Sequence, residues 1–547
     1  MATRFRVPSA EEVWTEVLRG KEYKSAIGLY ETVKTNEAYY IGDQWGNLKG
    51  KTPDLLLVTL NMLQRVVAMH VAKVCSDDFG ANFTAFNETE ESAAEMRMIS
   101  EQVENAVELM DLKRQNKQHV RDCAVDGDTC CYFWWDADAP TGQEAKGAIQ
   151  TEIVENMNVI FGNPYDARVE RQPYIILLLR KPYTEVQEEA RENGIDEESV
   201  ASIRPDDEAH LGEEGTDNKL CTVAVRLWRD EDGHVWCQKS AEHSLVREAW
   251  DTDLMRYPIA WMNWDKVRNS YHGRSCMTGL IDNQVAVNTT YSSIMTQIRN
   301  TAFNKLIYSD AVGKWNPSPA AAIRVPGSID VSKVATYLQG ASVNPSITQV
   351  IDSMVGMTRD FMGVSDATMG NVNPTNASAI IALQNADAVP MELHRQEYHS
   401  FVEQQVRIIV EMMRAYYGKR EVIVYKPHPQ SGAPIRVKMA FDFSSLTNEN
   451  YKIRVDVGVA SYWNETLQVE TLNNIFTSGI MQDAEAFSLF LEVMPDKYVP
   501  KKQKLMDFAK KKMDEAGGQE GGSSPVPDMR FKNAGFRPDE RQYGQKA

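Results

Sequence analysis

The sequence predicts an α+β protein, and three observations carry that prediction. Apolar residues recur at helical spacing through much of the first 126 residues. From about residue 128, β-branched and aromatic runs bounded by Gly, Asn and Pro take over. Later, a helical pattern free of proline extends from Gly273 to Lys305. With 547 residues, the chain has room for about three or four structural units.

Taken in order, Ser9 and Glu12 form a capping-box pattern that opens a first helix. Leu63, Val66, Val67, His70, Val71 and Val74 make a helical face after Asn61, and Ile99, Val103, Ala106, Val107 and Met110 make another. Between them Phe79 to Phe86 alternates like a strand. Thr129 to Trp135, Ile149 to Phe161 and Tyr174 to Arg180 read as strands, followed by an acidic helical insertion at about 185–217. Cys221 to Trp228 and His234 to Gln238 then flank Asp230-Glu231-Asp232-Gly233, a hairpin turn.

The Gly273–Lys305 helix is the most unusual element. At about 1.5 Å per residue it would run roughly 45 to 50 Å. Leu280, Val287, Tyr291, Ile294, Ile298 and Thr301 share one face, and from 281 to 304 the only charged residues are Asp282 and Arg299. Asn283, Gln284, Asn288, Ser292, Gln297 and similar residues cover the other faces. A solvated helix normally carries more charge, so this one is expected to pack between copies of itself or to face something that charges would hold too tightly.

Residues 306–345 read as a compact strand-and-turn segment, Ile347 to Met362 as a helix, and 363–376 as a loop containing no basic residue. A long helix restarts near Ala377 and continues to Gly418, with Pro390 inside it predicting a kink. Strand-like runs at Glu421 to Tyr425, Ile435 to Phe441 and Tyr451 to Val457 precede a helical unit from about Thr466 to Ala516. The tail after Gly517 is rich in Gly, Ser and Pro.

The formal net charge of −18 argues against a protein that grips nucleic acid over its whole surface. Residues 185–217 alone hold thirteen Asp/Glu against two Arg, most simply a solvated face. The lysines at 501 to 512 read first as a solvated helix end. The seven cysteines are scattered and include the adjacent pair Cys130-Cys131, so they read as reduced core residues. The longest apolar candidate, Ile175 to Leu179, falls far short of the roughly 18 residues of a membrane span. The N-terminus lacks the apolar core of a signal peptide, so the protein is expected to stay in the compartment where it is made.

The sequence carries no complete active-site motif. Gly46-Asn47-Leu48-Lys49-Gly50-Lys51-Thr52 imitates a phosphate-binding loop but has three residues between its glycines where four are needed, and Pro53 follows. Gly273-Arg274-Ser275-Cys276-Met277 lacks the second glycine of a nucleophile elbow, which leaves Ser275 as helix-start chemistry. The nine histidines are dispersed, His394 and His399 are five apart, and no cysteine spacing matches a zinc module. Asp136 with Asp138, and Asp230 with Asp232, read as turn chemistry. No catalytic residue, cofactor or metal is expected.

The order of parts resembles the portal proteins, or head-to-tail connectors, of tailed bacteriophages. The likeness lies in Asn61-Met62-Leu63-Gln64-Arg65-Val66-Val67, in Gly273-Arg274-Ser275 followed by Leu280-Ile281-Asp282-Asn283-Gln284, Asn288 and Ser292, and in Met362-Gly363-Val364-Ser365-Asp366, Gly370 and Asn376-Ala377-Ser378-Ala379-Ile380 with Gln384. It covers roughly residues 10 to 515. The resemblance implies a portal-type subunit: an α/β wing (1–270 and 377–460, the latter with the kinked long helix), a two-helix stem (271–305 and 346–362), a small α/β clip (306–345), a tunnel loop (363–376), a helical crown (461–516) and a flexible tail (517–547).

It further implies a ring of about twelve copies at one capsid vertex of the virion, assembled in the host cytoplasm, through which DNA is packaged, retained and later ejected. Asp366, Met369, Asn371, Asn373 and Thr375 would approach double-stranded DNA without reading its sequence. Tyr291, Ile294 and Ile298 would pack between subunits, Lys314 and Arg324 would contact a motor or adaptor, and Pro390 would kink the long helix. The implied partners are the terminase large subunit, major capsid and scaffolding proteins, and head-completion or tail adaptor proteins, with no membrane. Another ring-forming virion adaptor or capsid protein shares the acidity and missing active site, and a cytosolic nucleotide-binding enzyme using Lys51 is a more distant alternative.

Overall fold

The run Ile175 to Leu179 becomes part of a strand buried on both faces, and much of the fold is arranged around it. The computed structural model describes residues 6–46, 56–75, 79–85, 90–141, 145–206, 219–301, 305–308, 335–338, 345–361, 391–427, 434–446 and 451–457. The chain divides into two compact units, Met1–Val459 and Ala460–Ala547, and the second lies outside the described residues, with the expected crown and tail.

Helices α1 (Ala10–Ala26), α2 (Leu29–Ile41), α3 (Met62–Val74), α4 (Glu90–Leu109) and α5 (Leu112–Asp126) make up most of the N-terminal part, interrupted by strand β1 (Phe79–Ala85). The Ser9 side chain accepts from the Glu12 N–H while the Glu12 carboxylate accepts from the Ser9 N–H, the expected capping box, worth about 1 kcal/mol. Asn61 caps α3 by accepting from the Gln64 N–H.

Strands β2 (Asp128–Asp136), β3 (Ala148–Val154) and β9 (Ile259–Asn263) form an antiparallel sheet in the order β3-β2-β9. A second sheet is an antiparallel meander of β4 (Val159–Phe161), β5 (Tyr174–Pro182), β6 (Leu220–Arg229), β7 (Val235–Ser240) and β8 (Leu245–Asp251). On β5, Ile175, Leu177 and Leu179 point into the main core, whereas Ile176 and Leu178 meet Val13 and Val17 of α1. Cover on both faces explains why this strand is continuously apolar. Helices α6 (Tyr183–Glu192) and α7 (Glu197–Ser202), within the acidic insertion, bury Val186, Ala190 and Val200 against Cys221, Val223 and Val246.

The expected strand Ile149–Phe161 is two strands in two different sheets. They are separated by a helical turn at Asn156–Asn158, where the Lys24 ammonium donates to the carbonyls of Asn156 (3.2 Å) and Met157 (2.6 Å). The expected helix Gly273–Lys305 is shorter: a 3-10 turn at Thr278–Leu280 leads into α8 (Ile281–Thr301), because Gly273 to Met277 are engaged elsewhere. Helix α9 (Pro345–Phe361) packs against α8. The short strands β10 (Lys305–Tyr308) and β11 (Ala335–Leu338) pair antiparallel.

Helix α10 (Glu392–Tyr416) crosses β9 and the main core. Buried Gln405 and Asn116 of α5 exchange two hydrogen bonds of 3.0 and 2.8 Å, and the buried Glu411 carboxylate accepts from the Met255 N–H at 2.9 Å. Pro390 and the proposed kink lie outside the described residues. Strands β12 (Lys419–Pro427) and β13 (Pro434–Asp442) form a hairpin, and β14 (Tyr451–Val457) pairs with β1 across almost the whole unit. All seven cysteines are free, and five of them are fully buried.

Candidate functional site

Helix α8 carries, four residues apart, the side chains Gln284, Asn288, Ser292 and Thr296. Four helical residues rise about 6 Å, and two residues of extended chain span about 6.6 Å. The segment Leu56–Asn61 lies antiparallel along α8 and uses this near-match. The Leu56 N–H donates to Thr296 Oγ1 (2.8 Å), Val58 N–H to Ser292 Oγ (2.9 Å), Leu60 N–H to Asn288 Oδ1 (3.0 Å) and Met62 N–H to Gln284 Oε1 (3.2 Å). In return, Gln284 Nε2 donates to the Leu60 carbonyl and Ser292 Oγ to that of Val58. The side chains of one helix thus stand in for the edge of a β-strand. Part of the uncharged polar surface, expected from the sequence to face other copies, is satisfied within the chain.

The root of α8 is joined to the end of α5. The backbone of α5 ends with carbonyls that no further turn can use, and two side chains and one backbone N–H take them: Ser275 Oγ donates to the Ala124 carbonyl (2.9 Å), as does the Cys276 N–H (3.2 Å), and Asn36 Nδ2 donates to the Val125 carbonyl (2.7 Å). Asn36 Nδ2 is also 3.0 Å from Thr278 Oγ1, so one buried amide links α2, α5 and the turn before α8. Ser275 is therefore a latch between segments. Asp265 and Arg274 form a two-residue β-bridge, and the buried Asp128 carboxylate accepts from the Gly273 N–H (2.8 Å) and faces His272 Nδ1 (3.1 Å).

Titratable groups cluster around this joint, with Lys24, Asp128 and His272 buried and Asp126 half-buried. Burial lowers the Lys24 ammonium to about 7, with Asp128 opposing that shift. Burial, reinforced by Asp122 and Glu37, pushes the Asp126 carboxyl up to about 8, and its Oδ1 has no hydrogen-bond partner. Burial lowers His272 also, against the pull of Asp128. None of this equips a nucleophile. The Cys276 thiol is pushed up to about 12, first by burial, and Ser275 Oγ is occupied by the Ala124 carbonyl and the Met277 N–H. Among the described residues, no three His, Cys, Asp or Glu side chains converge as a metal site, and no helix is long and apolar enough to cross a membrane. The arrangement fixes the root of a long helix with only two charged residues, Asp282 and Arg299, to the end of α5.

Of the residues singled out from sequence, Tyr291 and Ile294 are half-buried on α8, and Ile298 remains 44 % exposed, as Val285 does at 41 %. Asp366, Met369, Asn371, Asn373 and Thr375 lie outside the described residues, as do Lys314, Arg324, the loop around Lys51 and the lysines at 501 to 512. The Asp136 carboxylate accepts from the Asp138 N–H (3.1 Å), and Asp230 accepts from the His234 N–H (2.8 Å), the turn roles expected of them. His394 stacks on Trp264 with ring centroids 4.3 Å apart. Sequence reading missed the extended segment 56–61. Its signal was the four-residue spacing of Gln284, Asn288, Ser292 and Thr296.

A model of the family described as phage P22-like portal protein matches residues 169–526, about two thirds of the chain. No curated protein matches it.

Proposed function

The chain belongs to the P22-like phage portal protein family, whose members are structural components of the virion, and on that premise we propose how its parts serve a portal. Copies close into a ring of about twelve at one capsid vertex, and the central channel passes double-stranded DNA inward during packaging and outward at ejection. The observation that carries this reading is the family match, which spans α8, α9 and α10 together with the segments between them.

In this reading α8 and α9 form the stem, residues 306–345 the clip, 363–376 the tunnel loop and 461–516 the crown. Tyr291, Ile294 and Ile298 pack between neighbouring stems, where an isolated charge would be costly to bury. Asp366, Met369, Asn371, Asn373 and Thr375 approach DNA through weak polar and steric contacts. An acidic channel with few fixed cations suits a duplex that must slide, since each neutralised phosphate adds binding energy that opposes movement. Lys314 and Arg324 meet the terminase large subunit and later a head-completion or tail adaptor. Hydrolysis is supplied by the terminase.

Native mass spectrometry and negative-stain imaging of the purified chain test the ring. Closed rings of about twelve 61.8 kDa subunits with a central hole are expected. A stable monomer or dimer across protein and salt concentrations would count against it. Replacing Asn371 to Asn373 with glycines should lower packaging yield or DNA retention while leaving rings intact, and unchanged packaging and retention would remove the loop from the mechanism.

A further inference from the structure

Among the described residues, the segment Leu56–Leu60 is held by one edge only. In extended chain, the N–H and C=O of a residue point the same way and those of its neighbours the opposite way. Leu56, Val58 and Leu60 turn their N–H groups to α8. Leu57 and Thr59 therefore turn theirs outward, and among the described residues neither backbone N–H nor C=O of these two has a hydrogen-bond partner. Both residues are only half-buried.

Such an edge is a template for another extended chain. We propose that the Leu57–Thr59 edge receives an extended segment of a neighbouring copy of this chain, so that the strand is hydrogen-bonded to α8 on one side and to the next subunit on the other. The inference rests on the ring reading above and adds a specific contact to it.

Charge selects a second copy as the occupant. Each copy carries a formal −18, so two of them approach most easily where neither presents charge. Residues 55 to 64 contain no charged side chain, and α8 contains only Asp282 and Arg299. Leu56, exposed at the start of the segment, adds apolar area that a neighbour can bury beside the backbone pairing. A heterologous contact of this kind, repeated around a closed ring, leaves no edge open.

Proline separates the two edges. Thr59→Pro removes only an outward N–H, whereas Val58→Pro removes the N–H that meets Ser292. For full-length protein, Thr59→Pro should keep the circular dichroism and melting temperature of the parent chain while raising the concentration for half-assembly about tenfold or more. Val58→Pro should lower the melting temperature. Hydrogen exchange on assembled parent protein supplies a reading that does not depend on either variant folding. The Leu57 and Thr59 amides should exchange slowly in rings and rapidly in unassembled subunits, while the Val58 and Leu60 amides are slow in both. Rings that form normally in folded Thr59→Pro, or in which the Leu57 and Thr59 amides exchange as fast as in subunits, would overturn the inference and leave the portal ring standing. Protection already present in unassembled subunits would also overturn it. Failure of the parent chain to form rings at all would overturn the ring reading and this contact with it.

Discussion

Gly127 and Gly273 cross backbone on backbone: a Cβ built on Gly273 lies 2.4 Å from the Gly127 carbonyl oxygen, and one built on Gly127 lies 2.9 Å from that of Gly273. Gly127 in addition has φ +103°, in the left-handed region. This crossing sets the end of α5 against the root of α8, and it brings Ser275, Cys276 and Asp128 within hydrogen-bonding reach of their partners. Because the obstruction is backbone, no side-chain rotation relieves it. Gly273→Ala should therefore destabilise the unit by about 2 to 4 kcal/mol. Gly356→Ala in α9 meets nothing within 4 Å and should be neutral or stabilising by up to about 1 kcal/mol. Urea unfolding of the two variants measures the contrast, and equal midpoints would refute the crossing as a constraint.

The ladder on α8 makes a second prediction. Asn288→Ala leaves the Leu60 N–H and the Gln44 and Gln284 side chains without the Asn288 amide they share, at a cost of about 1 to 3 kcal/mol. Thr289→Ala, one position away on the exposed side, should stay within about 0.5 kcal/mol. Hydrogen exchange at Leu60 should accelerate in Asn288→Ala and not in Thr289→Ala.

How far the fold was legible depends on whether the forces were local. The capping box at Ser9, the hairpin at Asp230 and the apolar run of β5 are contained within a few residues each, and the sequence pattern shows them. The division of Ile149–Phe161 was not legible, because it depends on Lys24, more than a hundred residues away, taking the carbonyls of Asn156 and Met157. Helix α8 starts later than the sequence pattern predicts for the same reason: Gly273 to Met277 have helix-compatible composition, but Asp128, Ala124 and Asp265 engage their backbone first. The nearly uncharged circumference of α8 is legible as unusual. Its acceptors for residues 56 to 62 emerge only when the four-residue helical step is set beside the two-residue strand step.

The buried amide pair linking α5 and α10 makes a third prediction. Gln405→Ala leaves the Asn116 amide buried without its partner and should cost about 2 to 3 kcal/mol. Replacing both, as Asn116→Leu with Gln405→Leu, removes the unsatisfied groups and should recover part of that loss. In a double-mutant cycle the coupling should exceed about 1 kcal/mol. A coupling near zero would show that the pair does not hold α10 to the core.

The half-buried Asp126 carboxyl at the joint, with its Oδ1 enclosed, makes the last prediction, and its sign follows from the direction of its shift. Asp126 is raised from 3.8 to about 8 by burial, with Asp122 and Glu37 adding to the effect. The folded state therefore holds the proton more tightly than the unfolded chain, so this contribution to stability is full below the ordinary carboxylate range and is lost as the pH rises toward 8. Asp126→Asn keeps the shape and removes the titration. Lys24, lowered to about 7, contributes in the opposite direction, its share being present at high pH and lost as the pH falls through 7, but it is common to both proteins and cancels in the comparison. The Asn variant should match the parent within about 0.5 kcal/mol at pH 4 and exceed it by about 1 kcal/mol or more at pH 8. Denaturant unfolding at the two pH values measures this difference, and a gap that does not widen from pH 4 to pH 8 would mean that Asp126 titrates as an ordinary carboxylate, with water reaching the joint between α5 and α8.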